Sequence, residues 1–320
     1  MKLEKTKVLL TGGTGFLGHH LVRALLGRKA DVTLLIQPHE KTWRLEHVGG
    51  NVNQVECRLT NRDETRFAVQ KVQPGVIIHL AGLMERRRDL SILGDLVDHH
   101  VSSTINLILA VDPQTTRLVI NTGTSEEYGE QDDPFVETLP ADPVSPYSAT
   151  KASATAMATY LSKAIGIPVI TMRPFITYGP AQLHDTLIPF LIKGVLQKKT
   201  VELTAGLQYR DFIFVDDLVA CYLAGIEKAE SLARPEIFNI GSGKKVQIRE
   251  VIETIADLLH GQEYLKVGAR PMRAGEPASM IADIQKAREI LGWQPAVSLS
   301  EGLKRTIDWW LENEVFWKGT

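Results

Sequence analysis

VLLTGGTGFLGHHLV, residues 8–22, runs from a short apolar strand through a glycine cluster into an amphipathic stretch. Gly12, Gly15 and Gly18 follow the spacing GxxGxxG, a relative of GxGxxG. The first glycine permits a tight turn, the second lets backbone approach a pyrophosphate, and the third lets helix and strand pack closely. Phosphates would then meet the free N–H groups and the positive end of a helix dipole. Glycines alone can mark a simple turn. Here they follow a strand, open a helix and begin a series of strand–helix units, so residues 12–18, Phe16 and Leu17 included, read as a dinucleotide-binding loop.

Outward from this loop, apolar runs alternate with amphipathic ones. Strands are expected over 8–11, 32–36, 51–56, 76–80, 118–122 and 168–172, and helices over 17–26, 63–72, 92–111 and 149–165. Such alternation implies crossover units and an α/β fold, a Rossmann-type doubly wound parallel sheet over residues 1–174. After Pro174 the texture changes. Helices over 187–196, 217–227 and 246–259 and strands over 212–215 and 236–240 suggest a smaller C-terminal α/β substrate-binding lobe, 175–320, with part of 211–240 rejoining the sheet. A last helix should begin at Ser298, three residues before Glu301, and bury Leu303, Ile307 and Trp310 on one face. No internal repeat occurs.

The 320 residues are 23% charged and 44% hydrophobic, with a net charge of −2, which gives no electrostatic reason for a nucleic-acid or membrane partner. No signal-peptide core opens the chain, and no apolar run is long enough to span a bilayer. Cys57 and Cys221 lie far apart without CxxC spacing and read as free thiols of a reducing cytoplasm. His19–His20 and His99–His100 point apart on their helices and read as surface residues rather than metal ligands. No metal is expected. Arg86–Arg88 reads as a solvated charge run, and Trp293, Trp309 and Trp310 as packing of the second lobe.

An NAD site ordinarily has an acidic residue about 20 positions past the glycines to hold the ribose 2′-hydroxyl. Ile36 and Gln37 occupy that place, and Asp31 lies at the wrong end of the strand. Glu40 could loop back, but Lys41 and Arg44 are equally near. The missing carboxylate and these cations favour NADP(H), with NAD(H) as the alternative.

Tyr147 and Lys151 form YSATK and share one helix face as an i, i+4 pair. A neighbouring ammonium favours phenolate and makes a tyrosine a usable acid/base at neutral pH. Thr124, in TGTSEEYG after the fifth strand, lies 23 residues before Tyr147. Strand C-termini of such sheets face the ligand crevice, so its hydroxyl can meet a reacting oxygen.

With TGGTGFLG, HLAG (79–82), TSEEYG, SPYSATK, RPFITYGP (173–180) and RDFIFVDDL (210–218), the whole chain resembles the extended short-chain dehydrogenase/reductases, within them the nucleotide-sugar epimerase/dehydratase branch. The resemblance implies Tyr147 as general acid/base, Lys151 as its electrostatic partner and ribose ligand, and Thr124 as substrate hydroxyl partner. It sets Leu80, Ala81, Gly82, Thr122 and Pro174 along the cofactor, and Ser125, Glu126 and Leu187 beside the substrate. Arg210, and Arg270 or Arg273, would meet a nucleotide diphosphate, whose oxygens suit a guanidinium fork. It also implies a homodimer formed through 92–111 and 149–165.

Departures bear on the reaction. Ser125–Glu126 replaces the Asp–Glu pair of 4,6-dehydratases, which removes the carboxylic proton donor. Ile176 stands for an asparagine of RxFNxYGP, and Arg58 for an adenine-contacting aspartate. No dehydratase donor and a site favouring NADPH lead to the expectation of a nucleotide-sugar 4-ketoreductase acting on a 4-keto-6-deoxyhexose. The alternatives are an NAD-dependent nucleotide-sugar epimerase and, third, a non-catalytic NADP-binding regulator.

Overall fold

The computed structural model describes residues 1–46, 48, 52–85, 87–183, 186–232, 235–272 and 276–318. Its centre is a seven-stranded sheet. In chain order the strands are β1 (Lys7–Thr11), β2 (Asp31–Ile36), β3 (Asn53–Glu56), β4 (Val76–His79), β5 (Leu118–Thr122), β6 (Val169–Pro174) and a last strand, Glu236–Ile240. In space the last strand lies beside β6, followed by β5, β4, β1, β2 and β3, every pair parallel. The order reverses between β1 and β4. Such a switch point opens a crevice at the strands' C-terminal ends.

The central strands are apolar throughout because both faces are covered. Successive residues point to opposite sides: Leu10, Ile78 and Ile120 enter one core, and Leu9, Ile77 and Val119 the other. On the first side lie α1 (Phe16–Gly27) and α7 (Val215–Glu227), burying Leu21, Leu25, Leu218 and Tyr222. On the second lie α2 (Arg62–Val72), α4 (Ser103–Leu109) and α5 (Pro146–Ile165), burying Val69, Leu107 and Ala158.

The continuous helix expected over 92–111 is interrupted. A 3-10 turn, Leu90–Ile92, leads into α3 (Leu93–Leu96), then a π segment, Val97–Ser102, and only then α4. The buried residues Ile92, Leu96, His100, Thr104 and Ile108 recur every four positions. A stripe of that period drifts about 40° per step around a regular α-helix. The wider π turn takes up the drift, and residue 100 still faces inward.

The remaining elements lie outside the sheet. Ile176–Tyr178 pairs with Phe212–Phe214, and Tyr209–Arg210 pairs with both Val246–Gln247 and Ser279–Met280. Three helices, α6 (Leu187–Leu196), α8 (Ile248–Leu259) and α9 (Leu299–Glu312), complete this part. The Ser298 hydroxyl caps α9 by accepting the Glu301 N–H at 3.2 Å, and Leu303, Ile307 and Trp310 are buried. The Trp293 indole donates to the Asp217 carbonyl at 3.0 Å. Cys57 and Cys221 are buried free thiols. Among the described residues no helix is long and apolar enough to cross a membrane.

Candidate functional site

The glycine loop closes against the end of β4. Gly12 has φ +69°, and a Cβ there would lie 2.8 Å from the Ala81 nitrogen. A Cβ on Gly18 would lie 2.1 Å from the Gly12 carbonyl, so α1 can approach its own loop only through a glycine. Gly15, the N-cap of α1, has no neighbour beyond that same carbonyl, and no side chain caps the helix. Its first turn carries no acidic residue. Phe16 and Leu17 stand at this open N-terminus, where unpaired N–H groups can receive phosphate oxygens. A dinucleotide pyrophosphate fits such a cradle.

Leu80, Ala81 and Gly82 leave β4 along the crevice. The Ala81 N–H donates to the Thr11 hydroxyl at 3.1 Å, and that hydroxyl meets His79 Nδ1 at 2.8 Å. Burial first, then Lys151, lowers the His79 pKa to about 3. Gly82 packs against the His100 ring.

Gln37 follows β2, and its N–H donates to the Glu40 carboxylate at 2.9 Å. The other oxygen of that carboxylate accepts the Thr14 hydroxyl. Glu40, 22 residues past Gly18, therefore does loop back onto the glycine turn. Arg44 donates through Nε to the Ala181 carbonyl at 3.1 Å and through a terminal nitrogen to the Thr14 carbonyl at 3.4 Å. Its guanidinium lies 4.3 Å from the centre of the Trp43 ring. Lys41 is exposed.

Tyr147 and Lys151 occupy the first turns of α5, which the Ser145 hydroxyl caps by accepting the Ser148 N–H at 3.1 Å. Helix formation thus begins three residues before the expected start at 149, and Tyr147 is helical. Both side chains are buried. The Lys151 ammonium donates to the Thr122 carbonyl at the end of β5. Burial lowers its pKa to about 8, and Glu127 opposes that shift. The Tyr147 hydroxyl points at Met84 Sδ, 3.4 Å away. Met84 is largely exposed, so it covers the hydroxyl from the solvent side.

Thr124 is buried and caps the turn Ser125–Tyr128, its hydroxyl accepting the Glu126 N–H at 3.3 Å. Ser125 is buried and Glu126 half-buried. Glu127, which the sequence did not single out, lies beneath them. Its carboxylate accepts the Thr124 N–H at 2.9 Å, the Thr155 hydroxyl at 3.0 Å and Arg173 at 2.8 Å, tying strand end, helix and β6 together. The capping spacing from Thr124 to Glu127 was its only trace in the sequence.

His20 and His100 correct the surface reading of the paired histidines, being 4% and 2% exposed. Each ring is held by polar partners that a linear pattern cannot show. His20 Nε2 meets the Pro180 carbonyl at 3.0 Å. His100 lies between the Leu83 carbonyl at 3.0 Å and the Thr150 hydroxyl at 2.8 Å, edge-on to the Tyr147 ring. Burial is the main cause that holds both pKa values down to about 4, so both are neutral at pH 7.

Pro174 ends β6 beside Ile240, and Leu187 opens α6, half-buried. Arg210 is buried with its guanidinium engaged by Glu276 at 3.0 Å and by the carbonyls of Tyr209 and Pro277. Arg270 is exposed and faces Glu202 at 3.7 Å. Arg273 and Arg86 lie outside the described residues. Among the described residues no three His, Cys, Asp or Glu side chains group as a metal site.

The chain is similar to several known proteins. A family model described as the NAD dependent epimerase/dehydratase family matches residues 8–241. A UDP-glucuronate 4-epimerase of Thermodesulfobacterium geofontis is 30% identical, the match covering 95% of this chain and 96% of that protein. A dTDP-glucose 4,6-dehydratase of Neisseria meningitidis serogroup B is 28% identical over 98% of this chain and 95% of that one. Among solved structures, the UDP-glucuronic acid 4-epimerase of Bacillus cereus, in complex with UDP-glucuronic acid and NAD, superposes with a TM-score of 0.86 at 29% identity, over 96% of this chain and 99% of that one.

Proposed function

The chain belongs to the NAD-dependent epimerase/dehydratase family of extended short-chain dehydrogenase/reductases and is an NAD(P)-dependent enzyme, and on that premise we propose that it is a nucleotide-sugar 4-epimerase that keeps its NAD through turnover. The observation that carries this reading is the Glu40 carboxylate folded onto Thr14 and Gln37. The preference for NADP(H) rested on a missing acid and on the nearby cations Lys41 and Arg44, of which Lys41 is exposed and Arg44 is engaged by the Thr14 and Ala181 carbonyls. Glu40 provides the acid, a carboxylate accepts the two hydroxyls of an unphosphorylated ribose, and it repels a 2′-phosphate. The epimerase thereby replaces the ketoreductase as the favoured reading, and a relative at 30% identity is a UDP-glucuronate 4-epimerase.

Bound NAD supplies reversible hydride exchange at the sugar C4. The chain's own residues handle the proton and the oxygen. Tyr147 takes the proton from the C4 hydroxyl and returns it after the keto sugar has presented its other face. Lys151 favours the phenolate by its charge and holds the nicotinamide ribose. Thr124 keeps its hydroxyl proton to donate to O4, since its oxygen already accepts the Glu126 N–H. Met84 must move aside to let O4 reach Tyr147. With Ser125 in place of the aspartate, Glu126 alone remains of the carboxyl pair of the 4,6-dehydratases, which disfavours dehydration.

The lobe over 175–320 would hold the nucleotide, with Arg210 exchanging Glu276 for a diphosphate. The exposed apolar side chains Leu93, Val97, Leu109, Met157 and Tyr160 support a homodimer through these helices. Sedimentation should give twice the mass of the 35.5 kDa chain, and a Met157→Glu/Tyr160→Glu variant a monomer. A wild type that sediments as a monomer would contradict the dimer.

For the activity, enzyme as purified is mixed with UDP-glucuronic acid or UDP-glucose without added cofactor. The C4 epimer should appear, and Tyr147→Phe should lower the rate by about 10²-fold or more with the fold intact. Stoichiometric NADPH consumption by a 4-keto sugar, with no epimer formed, would return the assignment to a ketoreductase.

A further inference from the structure

Among the described residues the loop that carries Glu40 and Arg44 pairs with no strand, and its regular element between β2 and β3 is the turn Trp43–Leu45. Beside its hydrogen bonds to Thr14 and Ala181, it is held from the opposite end of the sequence. The Trp43 ring packs on Phe316 with centroids 4.5 Å apart, and Phe316 stacks on Trp309 of α9 at 5.4 Å. The turn Glu314–Phe316 is itself fixed. The Trp317 indole donates to the Trp310 carbonyl at 2.8 Å, and the Trp317 carbonyl accepts the Gln197 amide at 2.6 Å. Trp43 also lies against the Arg44 guanidinium, which reaches the Thr14 and Ala181 carbonyls.

One continuous line of contacts therefore runs from α9 through Phe316, Trp43 and Arg44 to the glycine loop. We infer that Phe316 and Trp43 form a clamp that holds the Glu40–Arg44 loop over the adenosine ribose and so sets how long the dinucleotide stays bound. This rests on the cofactor half of the function proposed above. An epimerase that ends each turnover with its NAD unchanged gains from slow release, and an aromatic brace that adds to the loop's few hydrogen bonds provides it. The clamp grips the adenosine end only. The nicotinamide end, near Tyr147 and Lys151, is built from other elements. Phe316 and Trp43 are thus positioning residues, acting on the cofactor through Glu40 and Arg44.

The test is Phe316→Ala in the full chain, with Trp43→Leu as a second variant and Val315→Ala, an exposed neighbour, as control. Binding of NAD, of 5′-AMP and of nicotinamide mononucleotide is measured by calorimetry on protein stripped of nucleotide, and NAD release is followed after gel filtration. One aromatic contact corresponds to roughly a tenfold change in affinity. Both variants should release NAD about tenfold faster and bind 5′-AMP correspondingly more weakly, with nicotinamide mononucleotide unaffected. Saturating NAD should restore kcat at unchanged sugar KM, and Val315→Ala should behave as wild type. Unaltered NAD release and 5′-AMP affinity in a folded variant would overturn the clamp, as would equal weakening of both halves. Should Phe316→Ala fail to fold, Trp43→Leu alone decides. The 5′-AMP comparison is informative whether or not the enzyme epimerises anything. A wild type that binds added dinucleotide but retains none removes the epimerase reading and leaves the clamp to be judged on affinity.

Discussion

At the scale of single residues, the candidate reactive groups stand out in the sequence and most of their supports do not. Tyr147, Lys151 and Thr124 declare themselves by type and spacing, because acid/base chemistry draws on few side chains. Glu127 and His100 are held by partners distant in the chain, Arg173 and Thr155 for the one and Leu83 and Thr150 for the other, which a linear pattern does not show. Glu127 has the largest consequence. It and Arg173 are a hydrogen-bonded ion pair with side chains no more than 5% exposed, and its carboxylate also takes the Thr124 N–H. Removing one charge of such a pair leaves the other buried and uncompensated, which costs about 3–5 kcal/mol. Glu127→Gln should lower the free energy of unfolding by that amount in a urea titration and displace Thr124. A loss below about 1 kcal/mol would mean that water reaches Arg173.

At the scale of elements, the strands of the sheet were read correctly because burial on both faces forces unbroken apolar runs, and the glycines do lie in a tight turn between β1 and α1. The ends of elements were less legible. A proline in the first turn started α5 early, at Pro146. The π segment was invisible, since a stripe with a period of four looks helical until the register of a packed partner is known. The glycine loop gives the clearest test. Gly12 has a positive φ, and a Cβ there would strike the backbone of residues 80–81, so neither strain nor clash can be relieved by a rotamer change. Gly12→Ala should abolish dinucleotide binding. Gly27→Ala, whose Cβ meets nothing within 4 Å, should leave it intact. Wild-type NAD binding by a folded Gly12→Ala protein would contradict the placement of the pyrophosphate.

For the whole molecule, the parallel sheet and its crossovers followed from alternation, and the family from motifs spread over the chain. Cofactor choice is less legible in the sequence, because it depends on where a loop folds back. Three buried histidines also give the molecule an acid limit. His20 and His100 have pKa values near 4 and His79 near 3, all lowered chiefly by burial. The unfolded chain therefore binds protons that the folded one refuses between pH 6.5 and about 4. Stability is complete above pH 6.5 and falls as the pH drops through that window. Each histidine contributes up to about 1.4 kcal/mol per pH unit, and the three together roughly 4 kcal/mol between pH 6 and 5. Melting temperature should fall steeply over that unit. A flat profile from pH 7 to 5 would mean that these rings protonate without unfolding.

The central claim, hydride exchange at C4 by an NAD that never leaves, is tested most directly with UDP-glucuronic acid deuterated at C4. The enzyme as purified is incubated with it in ordinary water without added nucleotide, and the product is examined by NMR and mass spectrometry. Inverted C4 that keeps its deuterium, with NAD rather than NADP released on denaturing the protein, is the expected result. Deuterium lost to solvent, or no inversion until NADPH is supplied and consumed, would contradict it.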